Sequence, residues 1–134
     1  MKKYLIFGVS ILIIFFTGAV IIMPNDSNKV IDLDVQTFSK EAMSKDYILL
    51  DIRTIDEFNA GHIKGAKEID YYKTQHFSDF LDSLDKNKKY LIYCHSGRRS
   101  GLALEIFKQK GFKNVSDLAG GYNSWLASGL SIEK

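Results

Sequence analysis

Cys94 is the single cysteine of the chain, and its neighbours decide what it can do. It follows the unbroken apolar run Tyr90-Leu91-Ile92-Tyr93 and opens the polar stretch His95-Ser96-Gly97-Arg98-Arg99-Ser100. A cysteine serving as a small hydrophobe belongs inside an apolar run. This one stands where such a run ends and two arginines begin. An ordinary thiol, with a pKa of about 8.5, is only about 3% thiolate at pH 7. Helix N-termini and neighbouring cations favour the thiolate, which is the nucleophilic form. If the stretch after Cys94 curls around the sulfur, with Gly97 taking a left-handed conformation, its backbone N–H groups form an anion-binding nest at a helix N-terminus. Such a nest stabilises a thiolate and holds an oxyanion-bearing substrate. Cys94 is therefore the expected catalytic residue, with His95, Ser96, Gly97, Arg98, Arg99 and Ser100 as the expected binding residues.

The elements that position this stretch read as alternating strands and helices. A brief strand is expected at residues 30–33, and Asp34 suits the N-cap of a helix placing Val35, Phe38, Ala42 and Met43 on one face. Residues 47–50 are continuously apolar, as in a parallel strand buried on both sides. A short helix over 55–60 stops at Gly61, and a second short strand is expected at 66–69. Phe77, Phe80, Leu81 and Leu84 recur at the spacing of an amphipathic helix. Residues 90–93 form the strand that ends at Cys94, and residues 100–110 a helix with Lys108 and Lys110 in its last turn and Gly111 as its stop. A strand at 115–118, then Gly120-Gly121 and a helix with Tyr122, Trp125 and Leu126, complete the pattern. Repeated strand-then-helix order implies an open α/β sheet, in which ligands bind outside the carboxyl ends of strands. Asp51 and Arg53, just past a buried strand, suit an ion pair bracing the site, and Gly120 and Gly121 suit close backbone approach. His62 reads as a hydrogen-bonded structural residue and His76 as solvent-facing, while Trp125 and the tyrosines fit either core or pocket wall.

Composition removes other classes. With 134 residues the chain holds one ordinary domain, and one cysteine excludes an internal disulfide framework or a cysteine-based zinc cluster. The net charge of +2 comes from Lys2 and Lys3; without them 16 basic residues face 16 acidic ones, which gives no electrostatic reason to expect nucleic-acid binding. Residues 4–23 carry no charge and are long enough to cross a hydrocarbon core of about 30 Å. A cleaved signal peptide and an uncleaved anchor compete for this segment. The small residues Thr17-Gly18-Ala19 suit a cleavage site, but the apolar run continues to Met23, beyond the usual signal length, and favours the anchor. The expected organisation is a membrane or signal segment at 1–23, a linker at 24–29 and one domain at 30–134. By the positive-inside rule the domain faces outward at the cell envelope, anchored in the cytoplasmic membrane or exported if cleaved.

Three motifs together resemble the rhodanese family. Cys94-His95-Ser96-Gly97-Arg98-Arg99-Ser100 is similar to its active-site loop. Leu50-Asp51-Ile52-Arg53, Asp56-Glu57-Phe58 and Gly61-His62-Ile63-Lys64-Gly65-Ala66 are similar to its N-terminal signature, and Leu118-Ala119-Gly120-Gly121 with Trp125 to its C-terminal one. The resemblance spans residues 30–131 and points to the small single-domain rhodaneses of the bacterial envelope. It implies a five-stranded parallel sheet with helices on both faces, and transfer of sulfane sulfur through a Cys94 persulfide without metal or organic cofactor. A thiosulfate-type anion would be the donor and cyanide or a thiol the acceptor. Arg99 would orient the nest or the donor, Arg98 would help attract it, and the backbone from His95 to Ser100 would hold the persulfide charge; His95 is a weaker candidate for chemistry. Four residues separate Cys94 from Arg99, the sulfurtransferase spacing, whereas the related phosphatases and arsenate reductases use five. A persulfide carrier or partner-docking module is the alternative from a different class.

Overall fold

The computed structural model describes residues 29–134. Strands and helices alternate along them: β1 (Lys29–Leu33), α1 (Val35–Ala42), β2 (Tyr47–Asp51), α2 (Ile55–Ala60), β3 (Lys67–Glu68), α3 (Thr74–Ser83), β4 (Lys89–Tyr93), α4 (Arg98–Gln109), β5 (Asn114–Leu118) and α5 (Gly121–Ala127). The five strands lie in the order β1-β5-β4-β2-β3, and every pair is parallel. The chain steps outward from β2 to β3, then returns past β2 to β4 and β5. The crevice at that reversal opens between the carboxyl ends of β2 and β4, where a doubly wound sheet binds its ligands.

Alternation along the strands divides the core into two layers. Tyr90, Ile92 and Val115 face α3 and α4 and pack against Phe77, Leu81, Ala103 and Phe107. Leu91, Tyr93 and Leu118 face the other way, against Phe38 of α1 and Tyr122 and Trp125 of α5. This two-sided burial is why β4 reads as an unbroken apolar run. It also explains why Trp125 and Tyr122 are each only 6% exposed, although Tyr122 also reaches the wall of a cleft beside Arg53 and His95.

Local chemistry accounts for the helix starts. The Asp34 carboxylate accepts from the Thr37 N–H at 2.9 Å and caps α1. Thr54 and Glu57 form a reciprocal capping box at α2. Several expectations shift. Met43 does not join the buried face: α1 ends at Ala42, Met43 is its C-cap, and the side chain is 79% exposed. The strand expected at 66–69 shortens to the edge strand Lys67–Glu68, and Tyr47 and Ile48 are only partly buried. α4 opens at Arg98 rather than Ser100, because Gly97 turns the chain as a left-handed N-cap, so both arginines belong to its first turn. β1 begins pairing at Lys29, the last residue of the expected linker. The segment expected at 4–23 and residues 24–28 lie outside the described residues. Among the described residues no helix is long and apolar enough to cross a membrane.

The α1 contacts make a simple contrast. Phe38→Ala should lower the free energy of unfolding by about 3–5 kcal/mol, as for a fully buried aromatic, whereas Met43→Ser should stay within about 0.5 kcal/mol of the original chain. Denaturant titration of the two variants checks this, and equal losses would contradict the burial assigned to α1.

Candidate active site

Tyr93, the last residue of β4, is bonded on both sides before the chain reaches Cys94. Its hydroxyl donates to Asp51 Oδ2 at 2.6 Å and accepts from the Ile63 N–H at 3.1 Å. Asp51 is fully buried and also holds Arg53, whose Nη2 lies 2.6 Å from Oδ2. The same Nη2 donates to the Gly61 carbonyl at 2.7 Å, and the guanidinium sits 4.1 Å from the centroid of the Tyr122 ring. Removal from water alone would weaken the Arg53 charge; hydrogen bonding and attraction to Asp51 outweigh it and raise its pKa. Burial pushes the Tyr93 hydroxyl well above the usual tyrosine range, with the Asp51 charge adding to it, so it remains a donor. The structure thus brings Asp51 and Arg53 together as a buried pair beside the loop.

The loop after β4 closes over the sulfur. Cys94 is 1% exposed. The Gly97 N–H lies 3.1 Å from Sγ and the Ser100 hydroxyl 3.4 Å from it, both donating to the sulfur. These are the two hydrogen bonds made to Sγ, so the donor set among the described residues is smaller than the whole run from His95 to Ser100. Gly97 has φ of 94°, a left-handed turn that brings its own N–H back toward Sγ and starts α4. The loop's carbonyls point the opposite way: Cys94 O accepts from the Tyr122 N–H at 2.8 Å and His95 O from the Asn123 N–H at 3.0 Å. α5 therefore satisfies its unpaired N-terminal donors on the active loop. This contact depends on Gly121, with φ of 62°, where a Cβ would lie 2.7 Å from both carbonyl oxygens.

The other expected site residues separate. His95, Ser96 and Arg98 are exposed, with His95 on the wall of a cleft of about 250 Å³ that also meets Arg53, Glu57 and Tyr122. Arg99 turns to Glu57, making two hydrogen bonds of 2.8 and 2.7 Å, and stacks 5.2 Å from the Tyr72 ring centroid. The bonds from Arg99 hold the Glu57 carboxyl down at about 2, against the opposing effect of burial. The sequence shows Glu57 only within the Asp56-Glu57-Phe58 motif and gives no sign of its pairing with Arg99, although its capping-box spacing from Thr54 was a visible signal. His62 hydrogen-bonds the Phe58 carbonyl at 3.1 Å and stacks on that ring, and His76 is exposed. Among the described residues no cluster of three or more metal-ligating side chains occurs.

A parallel α/β domain with an enclosed cysteine between a central strand and a helix N-terminus defines the class. The family model for the Rhodanese-like domain matches residues 34–128, and the chain belongs to that family. It is 29% identical over 101 residues to the putative sulfur carrier protein YrkF of Bacillus subtilis (strain 168), covering 75% of this chain and 53% of that one. It is 32% identical over 83 residues to thiosulfate sulfurtransferase GlpE of Coxiella burnetii (strain RSA 493 / Nine Mile phase I), covering 62% of this chain and 75% of the relative. The crystal structure of a rhodanese-related protein from Thermoplasma volcanium superposes with a TM-score of 0.67 at 26% identity, covering 76% of this chain and 96% of that one. The chain thus spans about half the length of the Bacillus relative.

Gly121→Ala tests the packing that shapes the loop. A methyl group there meets backbone rather than a movable side chain. The variant should lose about 2–4 kcal/mol of stability or displace the loop. Amide exchange of Tyr122 and Asn123 should accelerate, and unchanged protection would mean the two bonds do not need the close approach.

Proposed function

We propose that the chain moves sulfane sulfur from a thiosulfate-type donor to a nucleophilic acceptor through a persulfide on Cys94. The observation that carries this is the enclosed sulfur with Gly97 N–H and Ser100 hydroxyl both donating to it. A four-residue spacing from Cys94 to Arg99 keeps the cradle small, suited to one added sulfur atom more than to a tetrahedral oxyanion. The relative named as a thiosulfate sulfurtransferase supports the same chemistry.

In the first step the Cys94 thiolate attacks the outer sulfur of thiosulfate. A new S–S bond forms, the bond to the sulfonate sulfur breaks, and its electron pair leaves with sulfite. Cys94 is left as a persulfide anion, held by the donors that faced the thiolate. In the second step cyanide or a thiolate attacks the outer sulfur and the electron pair returns to Cys94. Two half-reactions through a covalent intermediate predict ping-pong kinetics. The domain works at the cell envelope in this reading, held by residues 4–23 or exported after their removal; a C-terminal reporter active outside the cytoplasm should score positive, and one active only inside would refute that orientation.

The wild-type chain should gain the mass of one sulfur atom on thiosulfate treatment and lose it on adding cyanide. Cys94→Ser should do neither and form no thiocyanate. Thiocyanate production by that variant at the original rate would refute the persulfide route. Arg99→Ala should lower kcat/KM for thiosulfate by about tenfold, because its guanidinium is committed to Glu57; a donor touching the reacting atoms would cost about 10²–10³. The sulfur carrier reading draws on the Bacillus relative's name. It predicts a stable persulfide with little cyanide-dependent turnover.

A further inference from the structure

The near balance of basic and acidic residues along the chain hides an uneven distribution in space. All strands are parallel, so the sheet has an amino edge, where strands begin, opposite the edge that carries Cys94. Three connections enter the sheet at the amino edge: residues 43–46 before β2, 84–88 before β4 and 110–113 before β5. The register sets Lys89 beside Tyr47 and Asn114, and the Lys113 N–H donates to the Lys86 carbonyl at 3.0 Å, so the three connections lie side by side. Lys45, Lys88, Lys89 and Lys113 are exposed there, with Lys108 in the last turn of α4. None of these five forms a salt bridge among the described residues. Lys86 and Lys110 share Asp82, which leaves Asp46 and Asp85 as the acids of the three connections. The sulfur is out of reach: the length of β4 separates Lys89 from Cys94, about 16 Å at the rise of a strand.

We propose that this lysine edge docks on an anionic lipid bilayer and holds the Cys94 loop on the far side, open to the aqueous phase. β1 begins at the same edge, at Lys29. Only residues 24–28 stand between it and the uncharged segment 4–23, and five residues reach at most about 17 Å when extended. A chain held by residues 4–23 therefore keeps its lysine edge within about two screening lengths of the headgroups at physiological salt. Tethering raises the local concentration of headgroups, so individually weak attractions to lysine are enough. An acidic protein or a nucleic acid would meet the same charge, but the chain itself delivers the edge to a bilayer. In the docked pose the sulfur donor and acceptor arrive from water rather than along the membrane. The tether rests on the membrane reading proposed above; the charge of the edge does not.

The full chain, mixed with vesicles of phosphatidylcholine alone or of phosphatidylcholine with phosphatidylglycerol, supplies the test. Lysines are acylated with a membrane-impermeant reagent and read by peptide mass spectrometry. Lys73, exposed at the start of α3 past the carboxyl end of β3, is the internal reference. Relative to it, Lys88 and Lys113 should react about threefold more slowly on the anionic vesicles than on the neutral ones. The difference should vanish at about 1 M salt, where the screening length falls to about 3 Å. Trp125, the single tryptophan, gives a second readout through energy transfer to dansyl-labelled lipid. Transfer should be higher on the anionic vesicles, and Lys45→Glu, Lys88→Glu and Lys113→Glu combined should remove the rise with the unfolding midpoint little changed.

Equal acylation ratios on the two vesicles, a difference that survives the salt, or an undiminished rise in the combined variant would overturn the proposal. Slower acylation with soluble polyglutamate but not with anionic vesicles would assign the edge to an acidic protein and overturn it as well. Flotation with the neutral vesicles tests the membrane reading by itself. A chain that floats only with anionic vesicles overturns that reading and keeps the docking surface. One that floats with both and shows no difference in acylation does the reverse.

Discussion

Two hydrogen bonds from the first turn of α5 hold the active loop in shape. A helix N-terminus leaves N–H groups without acceptors, and a loop wrapped around a sulfur leaves carbonyls without donors. The Tyr122 and Asn123 N–H groups and the carbonyls of Cys94 and His95 meet both needs at once. Their pairing also sets which edge of the loop is left to face the sulfur. With these carbonyls turned outward to α5, the Gly97 N–H can turn inward at 3.1 Å from Sγ. The arrangement requires backbone to touch backbone, which the diglycine after β5 permits. It also requires β5 to lie next to β4, so the sheet order is part of the site.

The charge pattern around the nest follows from the start of α4. A helix N-terminus favours anions, yet the first turn of α4 has no acidic residue and begins with Arg98 and Arg99. This mismatch is answered in two places. Glu57 reaches across from α2 and neutralises Arg99, using the carboxylate that also closes its own capping box. The helix end itself faces the sulfur through the Gly97 N–H and the Ser100 hydroxyl, while Arg98 is exposed. Because Glu57 takes Arg99, backbone and hydroxyl donors do more of the work at the sulfur than the two arginines suggest.

Features fixed by near neighbours in the chain were legible in the sequence. β2 and β4 showed as apolar runs because neighbouring strands flank them and both faces of the sheet are covered there. Asp34 showed its cap, and Cys94 its position, because an apolar run ends there. Pairs joined by the fold were not legible. Arg99 and Glu57 are 42 positions apart, as are Tyr93 and Asp51, and no local pattern links them. Met43 was misplaced by a smaller margin: the periodicity continues one residue past the end of α1. The Asp51–Arg53 pair was readable because its partners sit two residues apart.

That pair, at the end of β2, has a cost as well as a use. Burying two charges is expensive, and an ion pair in the interior rarely stabilises more than well-packed apolar side chains would. Its value here is placement. Asp51 gathers Arg53 from its own strand end and Tyr93 from the neighbouring one, and Arg53 in turn grips the Gly61 carbonyl. The ends of β2 and β4 are thereby locked in register just before both chains leave the sheet. Side chains alternate along β4, so fixing Tyr93 toward α5 directs the next residue to the opposite side. That residue is Cys94, packed with the α3 and α4 layer where Ser100 also lies. A shift of one residue at Tyr93 would carry the sulfur to the wrong face, away from every donor that holds it. The buried charges are thus tolerated at the one point where register decides the chemistry.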